Sequence, residues 1–152
     1  MILVTVGTER YPFNRLMRWI DVLLKYGFLN EDQEEVIVQY GSCTILPAGV
    51  KVYSLLPETK FHELLDKARL IIAHCGEGTI NLLEETTAPY ILVPRSHRLG
   101  EHIDNHQIEL ANALAQSGSA IAWSPGDLVR FITNPERIVS STVPEAAVKS
   151  LC

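Results

Sequence analysis

Residues 70–79 read Leu-Ile-Ile-Ala-His-Cys-Gly-Glu-Gly-Thr, and this stretch decides the fold class. Residues 70–73 are apolar with no polar alternation, the mark of a strand buried on both faces. Two glycines at alternate positions, Gly76 and Gly78, follow at once. A helical pattern then runs from about Thr79 to Thr86, and Pro89 stops it. Strand, glycine turn and helix in that order open a parallel β-α-β unit.

The same rhythm extends on both sides. Residues 2–6 are a β-branched apolar run ending at Gly7-Thr8. Phe13, Leu16, Met17, Ile20, Leu23 and Leu24 then recur at helical spacing as far as Gly27, a C-cap residue. Short strands are expected at 36–40, 50–55 and 90–93, a sixth at 120–123, and helices at 58–68 and 104–116. The expectation is an α/β fold, a Rossmann-like parallel sheet with helices on both faces. One domain over residues 1–133 accounts for the pattern, and 134–152, broken by Pro135 and Pro144, reads as a tail or docking arm.

Composition narrows the function classes. The chain has 152 residues, of which 47% are hydrophobic and 20% charged, enough for a core without staples. Thirteen Lys and Arg against eighteen Asp and Glu give a net charge of -5, which argues against a nucleic-acid partner. Cys43, Cys75 and Cys152 form no CxxC pair and no disulfide framework, so a reducing compartment is expected. The first residues lack the features of a signal peptide, and no apolar run approaches the roughly 20 residues of a membrane span. A cytoplasmic protein is expected, one that reaches a membrane only through a partner.

Ligands of open parallel sheets bind beyond the carboxyl ends of the strands. Gly7-Thr8, Gly41-Ser42, 74–79 and 95–107 all fall there. In 74–79, paired glycines and the free N–H groups of a helix start suit a phosphate or diphosphate, with Thr79 adding a hydroxyl. An ordinary β-α turn capped by Thr79 fits equally well. The segment matches neither the dinucleotide fingerprint nor the Walker A loop. Residues 95–107 hold His97, His102 and His106, but no HExxH order, so zinc is disfavoured. Asn, Gln, His and Glu in this loop suit sugar hydroxyls, and Arg95 and Arg98 suit phosphate. The plainer alternative is a solvated loop. Cys75 beside His74 suggests a nucleophile and its base, but chain neighbours rarely face each other, and covalent catalysis is not expected. Trp19 and Trp123 read as packing residues, and Glu84-Glu85 as a solvated face.

Taken in order, Val4-Thr5-Val6-Gly7-Thr8, Gln39-Tyr40-Gly41, Ala73-His74-Cys75-Gly76-Glu77-Gly78-Thr79 and Asn105-His106-Gln107 resemble the C-terminal, nucleotide-sugar-binding half of glycosyltransferase family 28. The similarity runs from Ile2 to about Trp123. Pro94-Arg95 with Leu99-Gly100-Glu101-His102 and Asp104-Asn105-His106-Gln107 looks most like the bacterial exopolysaccharide glycosyltransferase subunits. These, like the catalytic subunit of the dolichol-pathway GlcNAc transferase, work as one of two subunits.

The resemblance implies one half of a GT-B fold that binds a UDP-sugar and transfers the sugar with inversion, without metal or cofactor. It implies that Gly76, Gly78 and Thr79 hold the diphosphate, that Asn105, His106 and Gln107 approach the donor sugar, and that Gly7, Thr8 and Gly41 face the cleft. Arg95 is expected to stabilise the leaving diphosphate. Many relatives carry a ribose-binding Glu where this chain has Leu82; Glu85, one turn later, is the candidate substitute. The base is left open among His74, Glu101 and a partner residue. A membrane-associated subunit that holds a lipid-linked acceptor is the expected partner. The competing expectation is a non-catalytic nucleotide-sugar-binding module that regulates a separate transferase. A flavodoxin-like domain fits less well, because no acidic phosphoacceptor cluster or flavin loop is present.

Overall fold

A computed structural model describes residues 1–138. Five strands, β1 (Ile2–Thr5), β2 (Val36–Gln39), β3 (Lys51–Tyr53), β4 (Leu70–His74) and β5 (Tyr90–Val93), form one sheet in the order β3-β2-β1-β4-β5, and every pairing is parallel. β1, β2 and β4 are buried throughout, as their unbroken apolar runs require. β3 is the edge strand, and Lys51 and Tyr53 face solvent.

Strand alternation splits the core into two layers. Ile2, Val4, Val36, Val38, Ile72 and Ile91 pack beneath α1 (Asn14–Lys25) and α5 (Pro125–Thr133). On the other face, Leu3, Ile37, Ile71 and Leu92 pack against α2 (Glu58–Lys67), α3 (Glu77–Glu84) and α4 (His106–Gln116). α1 inserts Leu16, Met17, Ile20 and Leu23, and it ends at Gly27 with φ of 79°. The Phe28 N–H reaches back to the Leu23 carbonyl (2.9 Å), closing the last turn.

Two elements differ from expectation. The sixth strand reduces to a single parallel bridge between Leu92 and Ile121. The Trp123 N–H donates to Asp127 Oδ2 (2.8 Å) and Ser124 Oγ accepts from the Asp127 N–H (3.2 Å), so the start of α5 takes over the chain where a strand would continue. α4 starts at His106 rather than 104, because Asp104 Oδ1 accepts from the His106 N–H (3.0 Å) and so sits outside the helix. Beyond α5, Pro135–Arg137 make a 3-10 turn and Ile138 is buried in the core. The rest of the expected docking arm lies outside the described residues. Among those described, no helix is long and apolar enough to cross a membrane.

Chain order reverses between β1 and β4, because β2 and β3 extend the sheet on one side and β4 and β5 on the other. The loops after β1 and β4 therefore diverge and leave a crevice between them.

Candidate functional site: a glycine-lined cradle at the switch point

A cavity of about 430 Å³ occupies that crevice. Gly7, Thr8 and Glu9 line it from the loop after β1, and Gly76, Glu77, Gly78 and Thr79 from the start of α3. Leu55, Leu56, Phe61 and Leu82 make its apolar end. Within α3 the first N–H to bond inside the helix is that of Ile80, to the Gly76 carbonyl (2.9 Å). The preceding residues, Glu77, Gly78 and Thr79, stand at the positive end of the helix dipole and line the cavity.

His74 organises this turn. Its ring lies between the two loops, so closely that a Cβ on Gly76 would sit 2.6 Å from Cε1, and one on Gly7 would also collide with the ring. These two glycines are therefore required by the histidine. Gly7 is further constrained by a φ of 73°. Gly78 is different: a Cβ there would meet no protein atom within 4 Å. Its missing side chain leaves space on the cavity side.

The protonation of His74 follows from its partners. Arg95 Nε, which can only donate, lies 3.1 Å from Nδ1. Nδ1 therefore accepts, the ring proton is on Nε2, and Nε2–H donates to Thr79 Oγ1 at 2.9 Å. The Thr79 hydroxyl thereby keeps its own hydrogen out of the bond to His74, and Thr79 lines the cavity. Burial, with the nearby positive charges of Arg95 and His102, pushes the His74 pKa down to about 3. His74 also lines the cavity, but with both nitrogens engaged and the ring neutral it has no free nitrogen for the base role expected of it.

Arg95 departs further from expectation. Its guanidinium is 1% exposed and donates to the carbonyls of Tyr11 (2.8 Å), Glu101 (3.1 Å) and Val6 (2.5 Å), as well as to His74. The face of Phe13 lies 4.9 Å away. Burial lowers its pKa. It ties the loops after β1 and β5 to His74 and presents nothing to a phosphate. Gln107, expected to touch a sugar, is 2% exposed; its Oε1 accepts from the Arg95 N–H (3.1 Å) and its Nε2 lies 3.4 Å from His74 Nδ1. Glu101, the other candidate base, is locked by Arg15 through Nε (3.0 Å) and Nη2 (2.9 Å) and by the Ser96 N–H (2.9 Å). All three residues build the platform beneath the site.

Several other expected contacts also lie off the cavity. Glu85 is exposed just past α3, and Leu82 is what α3 presents to the cavity in its place. Gly41 supports the Gly7 loop, with its N–H on the Ser54 carbonyl (2.9 Å) and a φ of 53°. Asn105 is exposed, and its Oδ1 accepts from the His97 N–H (3.4 Å). His106 does not line the cavity but bonds to Glu77, which does, its Nε2 donating to Oε1. The three loop histidines serve separate partners: His97 the His102 carbonyl, His102 Asp104, and His106 Glu77. Among the described residues no group of three or more potential ligands could hold a metal ion. Cys75 is buried, which pushes its thiol up to about 12, so it stays protonated.

Two contributors were not among the expected site residues. Gln39 stitches the β1 loop to β2: its Oε1 accepts from Thr5 Oγ1 (2.6 Å) and the Gly7 N–H (3.1 Å), and its Nε2 donates to the Gly7 carbonyl (2.8 Å). A Gln ending an otherwise apolar buried strand was the available signal. Arg15 and its Glu101 partner, 86 residues apart, left no sequence signal at all.

A parallel sheet in 3-2-1-4-5 order with a glycine-lined cavity at its switch point defines a Rossmann-like α/β domain. The model of the glycosyltransferase family 28 C-terminal domain matches residues 1–133, and the chain belongs to that family. Among solved structures it is similar to the glycotransferase of kitacinnamycin, with 17% identity and a TM-score of 0.55, over 99% of this chain and 37% of that one. It is also similar to the glycosyltransferase SnogD from Streptomyces nogalater, with 19% identity and a TM-score of 0.49, over 99% of this chain and 38% of that one. The chain thus spans less than two-fifths of these GT-B glycosyltransferases and has the fold of one Rossmann-like half. No match to a curated protein was found.

Proposed function

We propose that this chain is the donor-binding part of a glycosyltransferase. It binds a UDP-sugar, whose sugar passes with inversion, and without a metal ion, to a lipid-linked acceptor held by a membrane-associated partner in exopolysaccharide or glycan-precursor synthesis. The observation that carries this is the cradle at Gly76–Thr79. The start of the α3 helix with its dipole, a glycine with open space beside it and the Thr79 hydroxyl all line one cavity, as an oxyanion or diphosphate needs. The apolar end at Leu55, Leu56, Phe61 and Leu82 suits a planar base. Leaving-group charge is met by the helix start and not by Arg95.

The base is assigned to the partner, since His74 and Glu101 are both committed within the fold. That same commitment gives some support to a second reading, a non-catalytic module that presents nucleotide-sugar to a separate transferase. Calorimetry with UDP, ADP and GDP tests the donor; equal affinities for all three would refute it. Co-expression with the membrane-associated companion should move the chain to the membrane fraction and yield transfer insensitive to EDTA. Transfer by the isolated chain would refute dependence on the partner. Transfer that survives every single substitution in the cavity would favour the module.

A further inference from the structure

Glu9, Glu58 and Glu77 line the cavity, and among the described residues no lysine or arginine does. This is an unusual lining for a diphosphate site. Glu77 is the most consequential of the three, because it is the first residue of α3 and stands beside the N–H groups of the cradle. Its carboxylate accepts from His106 Nε2 at the start of α4, which holds it across the mouth of the cradle. Gln107, the neighbouring polar side chain, is buried and bound elsewhere. Glu77, with His106 bonded to it, is therefore the acidic side chain at the start of the cradle helix.

Building on the donor-site reading above, we propose that Glu77 sets a preference of this site for a sugar nucleotide over the bare nucleoside diphosphate. In a sugar nucleotide the terminal phosphate is esterified to the sugar and has no second proton to lose, and sugar hydroxyls follow it; these can donate to the carboxylate. In the bare diphosphate that phosphate carries additional negative charge, as its second proton is lost near pH 6. The carboxylate repels it at contact range, where one like charge in a partly shielded site changes affinity by about tenfold. Glu77 thereby favours loading of the donor and release of the product.

The test is calorimetry on the wild-type chain and on Glu77→Gln and Glu77→Ala, with UDP, UDP-glucose, UDP-galactose, UDP-N-acetylglucosamine and inorganic pyrophosphate as probes. Both variants should bind UDP about tenfold more tightly than wild type. The best-bound UDP-sugar should gain less or lose affinity, so that the preference for sugar nucleotide falls. A ratio of UDP to UDP-sugar affinity unchanged from wild type overturns the proposal. If no uridine nucleotide binds either protein, the donor-site reading fails and pyrophosphate decides. Tighter pyrophosphate binding by the variants still supports repulsion by Glu77; equal, weaker or undetectable binding overturns it.

Discussion

Gly78 separates the needs of the fold from those of the ligand. A Cβ built there meets no protein atom within 4 Å, and the backbone is already helical. Gly78→Ala should therefore stabilise the free chain, because alanine is favoured over glycine in a helix by up to about 1 kcal/mol. Near a helix start the gain is smaller, about 0.5 kcal/mol, or a rise in Tm of about 1–2 °C for a domain of this size. Binding should move the opposite way. The added methyl occupies the space a phosphate needs above the α3 N–H groups, and charge-assisted hydrogen bonds are worth about 1.5–3 kcal/mol each. Losing two weakens UDP by at least about 3 kcal/mol, more than 100-fold. Gly78→Val should abolish binding altogether. Thermal unfolding and titration with UDP on the same preparations check both signs. Wild-type affinity in the Val variant would place the diphosphate elsewhere, and a Tm lowered by several degrees in the Ala variant would show that the space is not open.

Gly76→Ala should do the reverse and destabilise the chain by about 1–3 kcal/mol, because its Cβ would press on the His74 ring; urea titration checks this, and an unchanged midpoint would refute the packing argument. Arg95→Met should cost more than about 3 kcal/mol, because it strips donors from the Val6, Tyr11 and Glu101 carbonyls and from His74; stability near wild type would refute the platform. The pH dependence has a definite sign. His74 has a folded pKa near 3 against an ordinary value of 6.5, so between these values the unfolded chain binds a proton that the native chain does not. Stability is fully present above pH 6.5 and falls as the pH drops toward 3, by about 1.4 kcal/mol per unit at the steepest. His74→Gln should flatten that slope, measured by urea titration from pH 7 to 5, and an equal slope in both proteins would refute the assignment.

Much of the sheet was legible because each central strand is an apolar run bounded by Gly or Pro, and period and punctuation agree. The failure at 120–123 has a local cause: the Ser124-Pro125-Gly126-Asp127 helix start claims the Trp123 N–H, and strand-like composition cannot show that competition. The site was legible in its backbone and less so in its side chains. Glycines and the helix start announce themselves, since only certain residues tolerate those geometries. Arg95, Glu101 and Gln107 looked like ligand contacts because polar residues in a loop beyond a strand end are usually solvated or functional. Whether Arg95 and Glu101 face inward depends on partners 80 or more residues away, the Val6 carbonyl and Arg15, and no spacing records them.

This inward-facing polar layer explains how a short, glycine-rich loop can be held in place without bulk. Gly7 and Gly76 have no side chains with which to pack, so their loops would otherwise be free to part. His74 fills the gap between them, Gln39 fixes the Gly7 peptide from below, and Arg95 joins the loops after β1 and β5 to the same ring. Each buried polar atom of His74 is satisfied by another member of the layer, which is the condition for such a network to rigidify and not weaken a core. The chain from Gln107 and Arg95 through His74 to Thr79 ends in a hydroxyl on the cavity wall. Buried residues behind the cavity wall, Gln107 and Arg95, thus act through His74 on a group that lines the cavity. A cradle pre-set in this way suits the proposed diphosphate without first ordering its own loops, and the helix start would supply its positive field, since among the described residues no arginine or lysine lines the cavity.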